Sequence, residues 1–336
     1  MTRVPVLEIG GTHVTAAVVD TAAGRPVAGS VVRRPVAAGA GAGAAELLDS
    51  FAEAAGDVAE PGMAHWGVAV PGPFDYASGV GRFRGIGKFE SLDGVDVGAG
   101  LLARMPYAET IGFLNDADAF ALGEHHSGAA AQHGRSVCVT LGTGVGSSFL
   151  RDGRPVTEGP DVPPDGRAHH ITVDGLPLEE VVSRKAVRAR YARSAGLDGT
   201  ATAPDVRAIA ELARAADPHA VAAIDGCFTA LGRALAPWCA AFRPDVMVVG
   251  GSMAASWDLI GPALRTGLTA GAGAEGPRAA AAVATMALRT ARRPDDAPLI
   301  GAAQWVLTHH ERSHPPAQGP SLAGSPAAGA PHVARP

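Results

Sequence analysis

The sequence predicts a two-domain α/β fold in which one pattern of strands and helices occurs twice around a central cleft. Two observations carry this prediction. Apolar strands at 4–9 and 137–141 each end in a turn of glycine and threonine, and a second β-type run follows each turn. Helical segments and further apolar strands then follow in both halves of the chain. Such a duplication places a ligand cleft between the two halves.

Apolar periodicity and breaker residues locate the elements of the first half. They are strands at 4–9, 14–20 and 27–34, a Gly/Ala-rich loop at 37–44, a helix at about 45–55, a strand at 65–70 ended by Pro71-Gly72-Pro73, a strand at 111–115 and a helix at 117–127.

The second half begins with another strand meander and is mostly helical after residue 178. Its predicted elements are strands between 137 and 150 with a turn at 152–153, helices at 178–195, 204–215 and 219–242, a strand at 246–249, and a last helix at about 297–312. We expect an N-terminal domain at 1–116 that the last helix completes, and a C-terminal domain at 117–296. Pro, Ala, Gly, Ser and His dominate 313–336, which predicts a disordered tail.

Composition limits the function classes. The chain has 336 residues and a net charge of −5, which argues against a surface that binds nucleic acid. Its apolar runs are too short and too broken to span a membrane, and it enters its first strand without a secretory segment. We therefore expect a cytoplasmic protein. The three cysteines, and the histidines near the C-terminus, predict no metal site; they are Cys138, Cys227, Cys239, His309, His310 and His314.

The two glycine turns predict contacts to a polyphosphate. Such turns expose backbone N–H groups and a threonine hydroxyl, and no Cβ blocks a close approach. One such turn alone is more often a plain tight turn. Two of them, with the carboxylate of Asp116 between them at a strand–helix junction, outline a phosphoryl-transfer enzyme. The turns consist of Gly10, Gly11 and Thr12, and of Gly142, Thr143 and Gly144.

Four motifs in order resemble the ROK family, over roughly residues 4–310. They are Glu8-Ile9-Gly10-Gly11-Thr12, Val68-Ala69-Val70-Pro71-Gly72-Pro73, Asn115-Asp116-Ala117-Asp118-Ala119 with Leu122-Gly123-Glu124, and Leu141-Gly142-Thr143-Gly144-Val145-Gly146. ROK proteins are bacterial sugar kinases, glucokinases among them, and related repressors. The resemblance implies the actin-like ATPase (ribonuclease H-like) fold.

The resemblance also implies how ATP and Mg²⁺ would be held. Both glycine turns would bind ATP phosphates, and the segment Gly250, Gly251 and Ser252 would lie against the adenosine. Glu8 stands where the family usually has Asp, next to the Mg²⁺–phosphate assembly. The Glu side chain is one methylene longer, and its carboxylate can still bind Mg²⁺, either directly or through water.

Asp116 is the predicted catalytic base, because transfer of phosphate to an alcohol needs a carboxylate within reach of the attacking hydroxyl. The alternative is that Asn115 and Asp116 only cap the helix that follows, with Asp118 as a competing cap. The resemblance favours catalysis.

The resemblance assigns substrate contacts to Gly72, Asn115, Asp116, His170 and Glu179. Arg167 stands where a sugar-binding Glu of the family would be, and the family's zinc-binding cysteine cluster is absent. We therefore expect no structural zinc, since such a site needs about four converging ligands. A packing role is the alternative for His170. The charges of Arg82, Arg84 and Lys88 fit either a substrate contact or a solvated face.

The predicted activity is ATP-dependent phosphorylation of a primary hydroxyl on a hexose or hexose-like ring. Glucose is the family default, and the altered contacts also suggest an amino sugar or a C7-cyclitol of the valienone type from antibiotic biosynthesis. The alternatives are a sugar-binding regulator and a catalytically inactive sugar-binding protein. Because the first motif begins at Glu8, we expect no N-terminal DNA-binding domain. The family suggests a homodimer or a tetramer.

Overall fold

The computed structural model describes residues 3–36, 41–87, 89–198 and 202–313, with side chains described up to residue 309. Its strands are β1 (Arg3–Ile9), β2 (His13–Asp20), β3 (Arg25–Pro26), β4 (Val32–Pro35), β5 (His65–Val70), β6 (Phe74–Asp75), β7 (Val80–Gly81), β8 (Thr110–Asn115), β9 (Arg135–Leu141), β10 (Val145–Arg151), β11 (Arg154–Pro155), β12 (Thr172–Val173), β13 (Leu176–Pro177), β14 (Val246–Gly250) and β15 (Ala287–Thr290).

The α-helices are α1 (Ala44–Gly56), α2 (Val97–Leu102), α3 (Asp116–Ser127), α4 (Leu178–Val182), α5 (Arg184–Ser194), α6 (Val206–Arg214), α7 (Pro218–Phe242), α8 (Trp257–Ala274), α9 (Pro277–Thr285) and α10 (Ala297–Ser313). None of these helices of the described residues has the length and apolar character needed to cross a membrane.

The first sheet is built on the hairpin β1–β2. Its strand order is β3-β2-β1-β5-β8, with β4 also paired to β2. β1 runs parallel to β5, and β5 runs parallel to β8. β5 is buried from Trp66 to Val70, as expected for a parallel strand that is covered on both faces. Because these parallel strands end at one edge, residues 10–12, 71–72 and 115–116 follow one another along that edge.

The second sheet repeats this arrangement in the order β11-β10-β9-β14-β15. β9 is antiparallel to β10 and parallel to β14, which is in turn parallel to β15. The duplication predicted from the sequence is therefore present in the strand topology. The corresponding edge of this sheet carries residues 142–144 after β9 and 251–252 after β14.

Helices α3 and α10 join the two halves. They pack on each other and share one apolar cluster with strands of both sheets, including Val6, Leu114 and Val248. A Cβ at Gly301 of α10 would overlap the backbone carbonyl of Ala119 in α3, so glycine allows the close crossing. α10 also packs on β1, β5 and β8. This packing supports the proposal that the last helix completes the N-terminal domain; the boundaries at 116 and 296 stay predictions.

Two predicted elements were wrong. The strand predicted at 27–34 is a turn followed by the short β4, because Gly29 adopts a φ of 78°. The helix predicted at 178–195 is broken at Ser183, which is extended and caps α5 by accepting from the backbone N–H of Ala186. The short α2, the Gly/Ala-rich α8 and α9, and β15 had no clear signal in the sequence. The predicted tail lies, from residue 314 onward, outside the described residues.

Candidate active site

Loops from both sheets converge on the start of α3. Glu8, near the end of β1, lies close enough to Asp116 for the two charges to interact. The next residue, Ala117, packs against β10 just after the second glycine turn; a Cβ at Gly146 would lie 3.1 Å from its Cβ. The structure therefore places Asp116 between the two predicted phosphate loops.

Asn115 and Asp116 both take part in the start of α3. The Asn115 Oδ1 accepts from the backbone N–H of Ala117 at 3.0 Å, and the Asp116 Oδ1 accepts from the same group at 2.8 Å. Asn115 therefore caps α3, as the alternative predicts, and the Asp116 carboxylate bonds to the same N–H group. The predicted competing cap, Asp118, is instead buried and holds an arginine.

Asp116 is exposed to solvent as a residue, although protein atoms surround its carboxyl group. Desolvation by these atoms raises its pKa, and Asp118 adds to the effect. The Ala117 backbone N–H and the charge of Arg167 oppose it. A carboxylate with a raised pKa is a stronger proton acceptor when ionised, which suits a general base.

Glu8 lies half-buried beside Asp116 at the end of β1. Burial raises its pKa to about 7, with further contributions from Asp116 and Asp295, while Arg33 opposes them. In the part of the chain that the structure describes, no three His, Cys, Asp or Glu side chains converge to hold a metal ion directly. An Mg²⁺ held mainly by nucleotide phosphates, with Glu8 contacting it through water, stays a prediction.

Asp295 is a member of this acidic group that the sequence analysis missed. Asp295 follows a segment whose backbone is bound by Glu124. The fully buried Glu124 carboxylate accepts from the backbone N–H groups of Ala129, Arg292 and Arg293 at 2.6, 3.1 and 2.9 Å. In the sequence, Glu124 stood out only as a Glu in an apolar helix. Nothing near it in the chain identified Arg292 and Arg293, which lie 168 and 169 residues away, as its partners.

The Glu8→Gln variant is expected to be more stable than the wild type at pH 8, by up to a few kcal/mol. The folded protein holds a proton on Glu8 that the unfolded chain releases between about pH 4.5 and 7. Wild-type stability therefore falls as pH rises through this window, and glutamine removes that part of the slope. Urea unfolding at pH 5 and pH 8 measures the effect. Glu60→Gln, at an exposed site, is the control; equal slopes in wild type and Glu8→Gln would contradict the expectation.

The second glycine turn is closed on itself and touches Glu179. The Gly142 N–H donates to the Gly144 carbonyl at 3.0 Å, and the Arg184 N–H donates to the Gly142 carbonyl at 3.1 Å. The Glu179 Oε1 accepts from the Val145 N–H at 3.2 Å, and a Cβ at Gly144 would overlap that oxygen. Glu179, predicted as a substrate contact, therefore lies against the phosphate loop.

The predicted adenosine segment lies beside the same turn. Gly251 has a φ of 82°, and a Cβ there would overlap the Leu141 carbonyl at the end of β9. A Cβ at Gly142 would be 3.9 Å from the Ser252 Oγ. The structure thus brings residues 142–144, 179 and 250–252 together at one edge of the second sheet. ATP contacts by these residues stay predictions.

On the other side of Asp116, Asn115 belongs to a hydrogen-bonded group with Tyr76. The Asn115 Nδ2 donates to the Tyr76 Oη at 2.9 Å, and that hydroxyl donates to the Val70 carbonyl at 3.3 Å. Gly72 lies on this pair, since a Cβ there would be 3.4 Å from the Tyr76 Oη. Gly72 and Asn115 are therefore neighbours, as their predicted role requires. Tyr76 was not identified from the sequence.

His170 is exposed and contacts its own loop. Its Nδ1 lies 3.2 Å from the Pro164 carbonyl and 3.5 Å from the Asp165 carboxylate, and its ring packs against His169. The structure gives it no hydrogen bond to Asn115, Asp116 or Glu179 among the described residues. Its predicted contact with a substrate hydroxyl therefore depends on a ligand between them and stays a prediction.

Arg167, noted in the sequence only as a departure, is half-buried next to Asp116. It makes two hydrogen bonds to Asp118, from Nη1 to Oδ1 at 2.9 Å and from Nη2 to Oδ2 at 2.6 Å. Both residues line a cavity of ≈ 460 Å³ that also includes Tyr76 and Asn115. The partners are 49 residues apart, and no local pattern could have paired them.

The remaining predicted candidates lie apart from this cluster. Arg82 and Arg84 pair with Asp75 and Asp93 at 3.3 and 3.4 Å, and both arginines are exposed, which favours the solvated-face interpretation. Lys88 lies outside the described residues. The three cysteines are buried and free within β9 and α7. The expected absence of structural zinc stays a prediction.

Comparison with known proteins gives consistent matches. A model described as the ROK family matches residues 5–309. A glucokinase from Thermotoga maritima is 29% identical over 219 residues, covering 59% of this chain and 67% of that protein. The structure of the ROK hexokinase from Thermus thermophilus has a TM-score of 0.72 and 26% identity, covering 92% of this chain and 99% of that one. The structure of a ROK family glucokinase from Streptomyces griseus, in complex with glucose and AMPPNP, has a TM-score of 0.69 and 22% identity. The match covers 91% of this chain and 99% of that one.

Proposed function

This chain belongs to the ROK family, and from that premise we propose that it is a glucokinase-like sugar kinase that uses ATP. It would phosphorylate a primary hydroxyl of a hexose or hexose-like ring. The observation that carries the proposal is the position of Asp116 between the two glycine turns, next to Glu8 on one side and β10 on the other. The relatives named above, a glucokinase and a hexokinase, support the same class of reaction.

The arrangement of the side chains supplies each step of such a transfer. Asp116 accepts the proton of the substrate hydroxyl while that oxygen attacks the γ-phosphorus and the bond to the ADP oxygen breaks. Backbone N–H groups of the two glycine turns would hold the phosphate oxygens. When bound, Mg²⁺ would neutralise phosphate charge, and Glu8 would orient it. Asn115, fixed by Tyr76 and the start of α3, would hold a neighbouring ring hydroxyl.

The proposed substrates are glucose, an amino sugar and a C7-cyclitol such as valienone. The resemblance supports glucose as the default. The arginine at 167 supports a ring that differs from glucose in the group facing that side chain. The sugar-binding regulator and the inactive sugar-binding protein remain the competing functions, and both would bind a sugar without consuming ATP.

A coupled assay of ADP release over a panel of hexoses, amino sugars and cyclitols tests the proposal. With ATP and Mg²⁺, we expect saturable ADP release for at least one ring with a primary hydroxyl. We expect none for its analogue in which that hydroxyl is replaced by hydrogen. Binding of a sugar in calorimetry, without ADP release from any member of the panel, would contradict the kinase and support a binding protein.

A further inference from the structure

Three polar residues form one row across the first sheet, which we call the polar row. Glu8 on β1 is paired with Thr15 on β2, and Thr15 is paired with Arg33 on β4. Residues directly opposite each other on antiparallel strands project from the same face of the sheet. The three side chains therefore stand side by side on one face, in the order Glu8, Thr15 and Arg33.

The packing of neighbouring residues identifies this face. Arg34, the next residue on β4, donates from Nη2 to the Oδ1 of Asp57, directly after α1, at 2.9 Å. Because side chains alternate along a strand, Arg33 projects from the face opposite α1. Val6, which shares its face of β1 with Glu8, lies in the apolar cluster with α3 and α10. The polar row is therefore on the face where the two halves of the chain meet.

One end of the polar row offers hydrogen-bond donors and positive charge. Arg33 is exposed, and it forms no hydrogen bond or close ion pair with any residue that the structure describes. The hydroxyl of the half-buried Thr15 makes no hydrogen bond in that part of the chain either. A guanidinium has five N–H donors and no acceptor. The charge of Arg33 also acts on Glu8, whose pKa it lowers.

The same end of the row adjoins the first glycine turn. Beyond Arg33, β4 continues to Pro35, and the backbone N–H of Val36 then donates to the Thr12 carbonyl at 3.0 Å. Arg33 is three residues from this contact with the turn. It is also two strands from Glu8, which is about 10 Å at the usual strand spacing. A ligand held by the glycine turn is therefore within the neighbourhood of both side chains.

Arg33 and Asp116 lie on opposite sides of Glu8. The strand order puts β2 and β4 on one side of β1, whereas β5 and β8 lie on the other side, and β8 leads into Asp116. In phosphoryl transfer the attacking and leaving oxygens are roughly in line, on opposite sides of the phosphorus. With Asp116 at the attacking hydroxyl, the leaving ADP oxygen is on the side of Arg33.

We propose that Arg33 binds the β-phosphate of the nucleotide and stabilises the charge on the leaving ADP oxygen. This inference rests on the proposed kinase function. In the transfer, the bond from the substrate oxygen to the γ-phosphorus forms and the bond from that phosphorus to the β-phosphate oxygen breaks. The electron pair stays on ADP, and the substrate proton goes to Asp116. A guanidinium suits this position because its N–H groups match phosphate oxygens in pairs.

The position of Arg33 favours the nucleotide over the sugar. The predicted sugar contacts Gly72 and Asn115 follow or end β5 and β8, so β1 and Glu8 lie between them and Arg33. A substrate amine would be repelled by the guanidinium, whereas phosphate oxygens accept from it. The alternative is a solvated surface charge that contacts no ligand, and binding measurements separate the two.

Calorimetry with ADP, AMPPNP and AMP tests the inference on the variant R33Q. We expect the affinities for ADP and AMPPNP to fall by about tenfold, the size of effect of a partly exposed hydrogen bond to a charged group. AMP has no β-phosphate, so its affinity should stay the same, as should that of the sugar. kcat should fall as well, because charge on the leaving oxygen grows in the transition state. The variant R33K keeps the charge and should lose less than R33Q.

The matched control is R34Q, because Arg34 is on the same strand and carries the same charge on the opposite face. It should leave all four affinities and kcat at the wild-type values. Since Arg33 is exposed and bonds to no described residue, R33Q should fold, which circular dichroism checks. If R33Q does not fold, R33M, which is also uncharged, takes its place with the same expected losses.

The outcomes separate the inference from the kinase proposal. Unchanged ADP affinity in folded R33Q would overturn the inference, whether or not AMPPNP binds more weakly. An equal loss for ADP and AMP would also overturn it, because the effect would not depend on the β-phosphate. In both cases ADP release by the wild type would leave the kinase intact. A wild type that binds AMPPNP but releases no ADP with any ring would overturn the kinase, and the contact to the β-phosphate would still be tested by calorimetry.

Discussion

The Asp116→Asn variant is expected to lose about two to four orders of magnitude in kcat, the usual contribution of a general base. Asparagine has nearly the same shape, and its Oδ1 can still accept from the Ala117 N–H that Asp116 contacts at 2.8 Å. The start of α3 should therefore keep its conformation, and only the proton acceptor is lost. Steady-state ADP release measures kcat, and calorimetry should show ATP and sugar affinities within about threefold of the wild type.

Asp174→Asn is the matched control, because Asp174 lies in an exposed turn outside the cluster around Asp116. It should keep wild-type turnover. If Asp116→Asn retained more than about a third of the wild-type kcat while folded, Asp116 would be a helix-start residue and not the base. In the wild type, kcat should rise with pH as the Asp116 carboxyl, with its raised pKa, loses its proton.

The parts of the fold that the sequence predicted are those whose cause is local. The turn after β1 and the turn after β9 have glycines directly behind apolar runs, and both lie where they were predicted. The strand predicted at 27–34 was wrong, because the positive φ of Gly29 makes a turn inside a run that looks continuous. Ser183 broke a predicted helix for a similar reason: its side chain caps the next helix.

The candidate site divides in the same way. Asp116 was predicted from its place where a strand meets a helix, and Glu8 from the family resemblance. Parallel topology brings the ends of β1 and β8 to one edge of the sheet. The Arg167–Asp118 pair and the bond from the Arg293 N–H to Glu124 were not predicted, because the partners lie 49 and 169 residues apart in the chain. Long-range pairs of this kind carry no periodicity in a single sequence.

The Gly144→Val variant is expected to weaken ATP binding by about tenfold to a hundredfold, while the chain still folds. A Cβ at 144 would overlap the Glu179 Oε1, and this oxygen is the end of a flexible side chain on the exposed start of α4. Glu179 can therefore swing away, so that the fold survives. The valine side chain would then stand where phosphate oxygens must approach the backbone, and hydrogen bonds to a charged group of about 1.5–3 kcal/mol each would be lost.

The movement of Glu179 also distinguishes a local effect on binding from a general loss of stability. Because Glu179 is also a predicted substrate contact, sugar affinity should fall together with nucleotide affinity in Gly144→Val, whereas Glu179→Ala should weaken mainly the sugar. Gly273→Val is the control, since Gly273 lies in α8 with no atom within 4 Å of an added Cβ. Isothermal titration with AMPPNP and with the preferred sugar measures both affinities. Unchanged nucleotide affinity in folded Gly144→Val would mean that phosphates do not approach this turn. The proposed transfer of a phosphoryl group next to Asp116 would then be contradicted.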